Sequence, residues 1–138
     1  MSHNTPSRVC LGLALLLGTA VSGQYAIATE PAAAVVAKYD KDSDKTLDWT
    51  EVQTAASARF DSLNKDADGT LDSQEIKGVI GEAAFKAADT DHDGTLSKAE
   101  YLALAKKRFK QADANHDGTI DAQELGSKAG RKLELLID

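Results

Sequence analysis

Residues 89–100 read DTDHDGTLSKAE, and residues 113–124 read DANHDGTIDAQE. In both segments oxygen-bearing side chains stand at positions 1, 3 and 5, glycine at position 6 and glutamate at position 12. Side-chain oxygens at this spacing wrap around a hard cation, and glycine permits the sharp turn that the wrapping requires. The two segments therefore predict two loops that bind a metal ion.

Two further copies of the pattern come earlier, at residues 40–51 and 64–75, so the four loops start 24 or 25 residues apart. We number them loops 1 to 4 in chain order. Lys45 replaces the glycine of loop 1, and Asn64 replaces the first aspartate of loop 2. A left-handed residue other than glycine costs about 1 kcal/mol or more. We expect loop 1 to bind with slower or weaker ordering than loops 3 and 4, and loop 2 to be usable.

The donors of such a loop lie at positions 1, 3, 5, 7, 9 and 12, where position 7 offers its backbone carbonyl and position 9 often acts through water. The candidate metal ligands, loop by loop, are Asp40, Asp42, Asp44, Thr46, Asp48 and Glu51; Asn64, Asp66, Asp68, Thr70, Asp72 and Glu75; Asp89, Asp91, Asp93, Thr95 and Glu100; and Asp113, Asn115, Asp117, Thr119, Asp121 and Glu124. Ser97 takes position 9 of loop 3. The alternative for each loop is a solvated acidic turn without metal. Zinc would require clustered His or Cys, and the sequence has no such cluster.

Apolar residues recur at fixed offsets from every loop. They stand four residues before it (Val36, Phe60, Phe85, Phe109), directly after it (Val52, Ile76, Tyr101, Leu125) and at its position 8 (Leu47, Leu71, Leu96, Ile120). The first two sets predict inward-facing helices, and the third predicts a short strand that bridges two loops. This scaffold is typical of EF-hands. The predicted fold class is all-α, a compact helical bundle of four fused EF-hands with short β-bridges between loops.

The connectors between loops, residues 52–63, 76–88 and 101–112, are only 12 or 13 residues long. A helix of that length spans roughly 18–20 Å, so each connector must leave one loop and enter the next. If the helices are straight, loops 1 and 3 meet at one end of the bundle and loops 2 and 4 at the other. The connector 76–88 contains two glycines and is the one most prone to bend.

The first 28 residues have the features of a secretory signal peptide. Arg8 precedes an uncharged apolar run over residues 9–21, which is too short to span a bilayer. Ala26-Ile27-Ala28 offers a cleavage site after Ala28, with Ala20 and Gly23 as alternatives. A retained membrane anchor is the alternative. We therefore expect a mature metal-binding domain over residues 29–138, without Cys10, which is the only cysteine. Export without cysteine is compatible with a bacterial periplasm, where the mature chain would have no membrane association.

The acidic charge is concentrated in the loops. Positions 1, 3, 5, 9 and 12 hold 17 of the 22 acidic residues, and loss of Arg8 would change the net charge from −6 to −7. This distribution argues against nucleic acid or anionic membrane as partners and favours cations. A basic run, Lys106-Lys107-Arg108 with Lys110, predicts a solvated helix face or, as a lesser alternative, a docking patch for an acidic partner. No constellation of residues predicts an enzyme.

The chain resembles the lanmodulin family, periplasmic lanthanide-binding EF-hand proteins of methylotrophic bacteria. The likeness covers residues 35–138 and is carried by the connector lengths and by the segments AFKAA (84–88), KAEYL (98–102), RFKQA (108–112) and DAQEL (121–125). It implies selective binding of trivalent lanthanides at the candidate ligands and a folding transition driven by metal. The chain departs from the family at loop position 2, where well-known members have proline and this chain has Lys41, Lys65, Thr90 and Ala114.

The leading functional hypothesis is a periplasmic protein that captures or carries lanthanide(III) ions. Extra carboxylates favour a trivalent ion over Ca²⁺ because Coulomb attraction scales with charge. The alternative is a calcium-binding EF-hand buffer or sensor; a sensor should expose a methionine-rich groove, and Met1 is the only methionine. A dockerin-like interaction module and a calcium-stabilised structural adaptor remain further alternatives. The sequence identifies no periplasmic protein partner.

Overall fold

The computed structural model describes residues 30–138, with side chains from Ala32 onward. The predicted signal peptide, residues 1–28, lies outside the described residues. In chain order the elements are α1 (Glu30–Tyr39), β1 (Leu47–Asp48), α2 (Trp49–Leu63), β2 (Thr70–Leu71), α3 (Glu82–Ala88), β3 (Leu96–Ser97), α4 (Lys98–Ala112), β4 (Thr119–Ile120), α5 (Ala122–Leu125) and α6 (Lys128–Glu134). No helix in residues 30–138 has the length and apolar character needed to cross a bilayer.

Three of the exit helices begin with a capping box that uses loop residues. Position 9 is the N-cap and position 12 is the third helical residue in α2, α4 and α5, where the pairs are Asp48–Glu51, Ser97–Glu100 and Asp121–Glu124. Each cap satisfies backbone N–H groups that the first helical turn leaves unpaired, an effect of about 1 kcal/mol. The residues that the loop pattern requires for metal therefore also start the helix that follows.

The predicted connector helices are confirmed at residues 52–63 and 101–112, which lie within the 15-residue helices α2 and α4. The prediction of a helix over 76–88 is wrong for its first half. Only Glu82–Ala88 is helical, after turns and an isolated bridge between Lys77 and Ile80. Gly78 adopts φ +89°, and Gly81 has no side chain with which to cap α3. Because of these two glycines, the chain reverses direction here instead of bending within a continuous helix.

The reversal also overturns the predicted pairing of the loops. Instead of loop 1 with 3 and loop 2 with 4, β1 pairs antiparallel with β4 and β2 with β3. The helices α2 and α4 each separate two loops by roughly 22 Å and pack against each other. The reversal over residues 77–81 returns the chain so that loop 3 lies beside loop 2. Loops 1 and 4 then meet at the opposite end of the bundle.

The predicted core residues are buried in the structure. All four position 8 residues have no exposed surface, and they pair across the bridges as Leu47 with Ile120 and Leu71 with Leu96. The residues four before and one after each loop are also buried. The fold is therefore all-α with short strand bridges, as the apolar offsets predicted.

The last helix, α6, and the turn that follows it complete this core. Leu133, Leu136 and Ile137 are buried, and the buried Tyr101 hydroxyl donates to the Leu136 carbonyl at 2.9 Å. Gly130 permits a close approach, since a Cβ there would lie 2.1 Å from the Glu124 carbonyl oxygen. The exit helix of loop 4 is thus packed directly against the C-terminal segment.

Candidate metal centres

The first carboxylate of loops 1, 3 and 4 holds the turn at position 6. Asp40, Asp89 and Asp113 each accept a hydrogen bond from the position 6 N–H, at 2.9, 3.0 and 3.1 Å. The residue at position 6 lies in the left-handed region in all four loops, with φ between 70° and 91°. Lys45 adopts this conformation at φ 70°, so the strain expected at the irregular position of loop 1 is present.

The backbone is left-handed at position 4 as well, a feature that the loop pattern does not predict. Ser43, Ala67, His92 and His116 have φ between 58° and 66°. Histidine is among the residues enriched in this region, which could have suggested it at two of the four positions. The two histidines are exposed and lie in different loops, so within the described chain they do not form a zinc cluster.

The carboxylate at position 5 is held by the threonine at position 7. Asp44, Asp68, Asp93 and Asp117 each accept from both the backbone N–H and the hydroxyl group of that threonine, at 2.7–3.0 Å. The hydrogen bonds to Thr119 and Asn115 lower the pKa of Asp117. The position 7 side chains therefore orient a neighbouring carboxylate, and the role of the backbone carbonyls of Thr46, Thr70, Thr95 and Thr119 as metal ligands stays a prediction.

The glutamate at position 12 bridges the two ends of its loop. In loops 1 to 4 its Oε1 accepts from the position 2 backbone N–H at 2.5, 2.8, 2.7 and 3.0 Å. Its Oε2 accepts from the position 9 N–H at 3.0, 3.2, 2.9 and 3.2 Å. In loop 3, the hydrogen bonds from the Thr90 and Ser97 backbone and hydroxyl groups lower the pKa of Glu100 to about 2. The position 12 carboxylate is thus held over its loop by backbone N–H groups from both ends.

The side chains at position 9 mainly cap the N-terminus of the segment that follows the loop. Asp48, Asp72 and Asp121 each accept from the position 12 N–H through Oδ1, at 2.8 or 2.9 Å. Each aspartate keeps its second oxygen for an ion or for a bridging water. Ser97 in loop 3 has a single hydroxyl oxygen, which accepts from the Glu100 N–H and donates to Glu100 Oε2. Loop 3 therefore offers the poorest donor at this position.

Carboxylate oxygens converge most closely in loops 1 and 3. Within the described residues, three-carboxylate groups with oxygens inside 4.8 Å of one another are Asp40–Asp42–Glu51 and Asp89–Asp91–Asp93. A backbone hydrogen bond from Asp44 stabilises the Asp42 anion, but desolvation and repulsion from Asp44 and Glu51 outweigh it and raise the pKa of Asp42. Burial raises the pKa of Asp40, but the Lys45 and Ser43 N–H groups lower it more. A cation would relieve this repulsion.

Two buried oxygens at position 1 have no hydrogen-bond donor within residues 30–138. They are Asn64 Oδ1 in loop 2 and Asp89 Oδ1 in loop 3, the two loops joined by β2 and β3. A buried oxygen without a partner costs about 1–3 kcal/mol, and a cation or a water molecule bound in the loop would offset that cost. The surrounding donors are oxygens throughout, which suits a hard cation such as Ca²⁺ or a lanthanide. Assignment of the individual ligands stays a prediction.

Trp49, at position 10 of loop 1, packs in the interface between loops 1 and 4. Its ring meets Phe109 edge to face at 5.8 Å, and the Lys106 ammonium lies 5.3 Å from its centroid. Phe109 stands four residues before loop 4. The chain's only tryptophan is thus a packing residue: it belongs to loop 1 and contacts the entry helix of loop 4.

Comparison with known families agrees with this geometry. Residues 82–105 and 104–127, which contain loops 3 and 4, each match the family described as EF hand. No curated protein matches the chain. The acidic clusters and the matched loops indicate metal binding of the kind that EF-hands perform, typically of Ca²⁺. The matches, the helix–loop–helix units and the bridged loops together support an EF-hand protein family for this chain.

Proposed function

We propose that the chain is exported to the periplasm, binds trivalent lanthanide ions in its four loops, folds as it does so, and serves to capture or carry the ion. The observation that carries this proposal is the concentration of 17 of 22 acidic residues at five positions of four loops. Four or five carboxylates gathered around one ion exceed the charge of Ca²⁺ and are better matched by a charge of three. Aspartate at position 9 in loops 1, 2 and 4 contributes to that excess.

The same carboxylates supply the reason for folding on binding. Without an ion, the acids of each loop repel one another, as the raised pKa of Asp42 illustrates. A ligand that binds only the folded state stabilises it in proportion to the logarithm of its concentration over Kd. Metal binding would therefore be linked to ordering of the loops and of the helices that they cap.

Calcium binding is the second candidate, because the matched loops are of the kind that typically binds Ca²⁺, and the hydrogen bonds at loop position 2 are consistent with it. All four loops have a backbone N–H there that holds the position 12 carboxylate in place. A carboxylate that is already positioned needs less attraction from the ion, so a divalent ion can be held there as well as a trivalent one. Proline at position 2 would remove this donor.

A paired titration separates the two candidates. Purified residues 29–138 are titrated with La³⁺ and with Ca²⁺ in chelator-buffered solution, and far-UV circular dichroism follows helix formation. A midpoint for La³⁺ that lies orders of magnitude below that for Ca²⁺ supports the lanthanide proposal. Comparable midpoints identify a calcium protein, and a spectrum unchanged by either ion contradicts folding on binding. Export is tested separately by mass spectrometry of the periplasmic fraction, where a chain that begins at Thr29 is expected.

A further inference from the structure

An apolar groove lies among α3, α4 and α6. It encloses about 530 Å³, and its apolar lining includes Val79, Ile80, Ala84, Leu104 and Leu135. Leu135 is 47% exposed and is the one large hydrophobic residue of the described chain that is exposed. Each of the other large hydrophobic residues in residues 32–138 is at least partly buried, so the exposure of Leu135 marks this groove as a surface that a partner could cover.

The groove also contains cations without anionic partners. Arg108 is only 8% exposed, and its Nη1 donates to the Lys132 carbonyl oxygen. Neither Arg108 nor the groove-lining Lys107 and Lys132 forms a salt bridge within residues 32–138, where the ion pairs join Lys38, Lys86 and Lys98 to other acids. A buried guanidinium without a carboxylate is costly, and burial lowers the pKa of Arg108. The groove therefore combines an apolar surface with positive charges that have no anionic partner in the described residues.

This arrangement separates the members of the basic run, Lys106-Lys107-Arg108 with Lys110. The run does not form one solvated face, because its members diverge around α4. Lys106 lies over Trp49, Lys107 and Arg108 line the groove, and Lys110 is exposed elsewhere on the helix. Only the two middle residues combine with Lys132 of α6 to surround an apolar surface.

We infer that the groove is a docking surface for an acidic amphipathic helix of a partner protein. Apolar residues at i, i+3, i+4 and i+7 of such a helix would cover Leu104 and Leu135, while its flanking carboxylates would pair with Arg108, Lys107 and Lys132. The small side chains of Ala84, Ala87 and Ala103 let a helix approach α3 and α4 closely. Charge complementarity selects an acidic helix over a basic one.

The groove is adjacent to loop 3, which makes docking dependent on metal. Thr90 and Glu100 line one part of it, and the Glu100 carboxylate accepts from both the N–H and the hydroxyl group of Thr90. Without an ion, the carboxylates of loop 3 would repel an acidic helix. A bound cation cancels that charge, so the partner would select the loaded protein. This dependence rests on the proposed metal binding.

Two synthetic peptides test the inference. Both have about 18 residues and the same leucine face along roughly 27 Å of helix, with glutamate at the other positions in one and lysine in the other. Each is labelled and titrated with the La³⁺-saturated protein, and binding is followed by fluorescence anisotropy. We expect the acidic peptide to bind at least about tenfold more tightly than the basic one. Equal binding of the two peptides, or no binding of the acidic one, overturns the inference.

Substitutions locate the binding to the groove. Leu135→Glu and Lys107→Glu alter exposed positions, so both variants should fold, and each should weaken the acidic peptide by about tenfold or more. Lys110→Glu makes the same charge change on an exposed part of α4 outside the groove and should change binding by less than about threefold. Binding that Leu135→Glu leaves unchanged, or that Lys110→Glu weakens as much as Lys107→Glu does, places the peptide elsewhere and overturns the inference.

Circular dichroism and metal uptake, measured on the same samples, separate this inference from the proposed function. Folded, loaded protein that fails to bind the acidic peptide refutes the docking surface alone. Protein that takes up no metal refutes the proposed function and, with it, the metal dependence. Sedimentation without peptide tests for a second copy of the chain as the occupant. A dimer that Leu135→Glu converts to monomer would overturn the assignment to a partner helix.

Discussion

Replacing Ala114 with proline tests how position 2 controls affinity. The Ala114 N–H donates to Glu124 Oε1 at 3.0 Å, and proline has no N–H to donate. The preceding residue, Asp113, has ψ 86°, outside the helical region that a following proline disfavours. The substitution should therefore remove one hydrogen bond without forcing the entry helix α4 to change.

The expected effect is about tenfold. A hydrogen bond to a charged group contributes about 1.5–3 kcal/mol, and the lower end applies because Asn115 N–H also reaches Glu124 Oε1, at 3.3 Å. About 1.4 kcal/mol corresponds to a tenfold change in Kd. The bond lies within the protein and does not involve the charge of the ion. We therefore expect La³⁺ and Ca²⁺ affinities of loop 4 to fall by the same factor.

Trp49 fluorescence is the assay, since this residue packs on Phe109 beside loop 4 and is the only tryptophan. The variants Ala114→Pro and Ala114→Val are titrated with each ion in chelator buffers; valine keeps the N–H, adds no hydroxyl group and is the matched control. The reasoning is refuted if proline and valine behave alike. It is also refuted if proline changes the ratio of the two affinities by more than about tenfold, because the substitution would then act on selectivity.

Three further outcomes follow from the geometry. Lys45→Gly should relieve the backbone strain at φ 70° and raise the metal affinity of loop 1 by up to about fivefold. Lys45→Ala is the control, since it removes the charge but keeps the strain. Equal effects of the two variants in titrations followed by Trp49 fluorescence would show that the charge is the cause. Gly130→Ala should destabilise the loaded protein by more than about 2 kcal/mol in urea unfolding, since the new Cβ would lie 2.1 Å from the Glu124 carbonyl oxygen. Gly81→Ala is the control, because a Cβ there would have no atom within 4 Å and should leave the unfolding midpoint nearly unchanged. Similar costs for the two variants would contradict the packing of α6. In the folded fraction of the metal-free protein, carbon-13 NMR should show the Glu100 carboxyl titrating near its lowered pKa of about 2. Its stabilising effect is therefore full above the unfolded value of about 4.5 and is lost as pH falls toward 2. A midpoint near 4.5 would show that the hydrogen bonds from Thr90 and Ser97 are not formed.

The loops and their scaffold could be predicted because each depends on residues close in sequence. Carboxylate spacing and the glycine at position 6 define the turn, and the apolar residue at position 8 identifies the bridge strand. Leu47 and Ile120, both fully buried, pair across such a bridge. The repeat spacing of the loops and the fixed offsets of the apolar residues are sufficient to predict these features.

The pairing of the loops could not be predicted, because it depends on one short segment. Gly78 and Gly81 were recognised as a source of bending, but the choice between a bend and a full reversal rests on the φ of +89° at Gly78 and the bridge between Lys77 and Ile80. A reversal changes every long-range contact while leaving the local pattern intact. Helix propensity alone cannot distinguish the two outcomes.

The role of the C-terminal segment was also missed. Leu133, Leu136 and Ile137 are spaced three and four apart, which is the spacing of a buried helical face, and this could have indicated that residues after loop 4 belong to the core. The contact of Gly130 with the backbone of Glu124 and Leu125 depends on tertiary structure and has no counterpart in the sequence.

The stoichiometry of bound metal tests the central claim most directly. The La³⁺-saturated protein is separated from free ion by gel filtration, and metal per chain is measured by plasma mass spectrometry. One ion is expected for each of the loops 40–51, 64–75, 89–100 and 113–124, and Glu100→Gln should reduce the total by one. A chain that leaves the column without metal would contradict the account, as would full occupancy after the substitution.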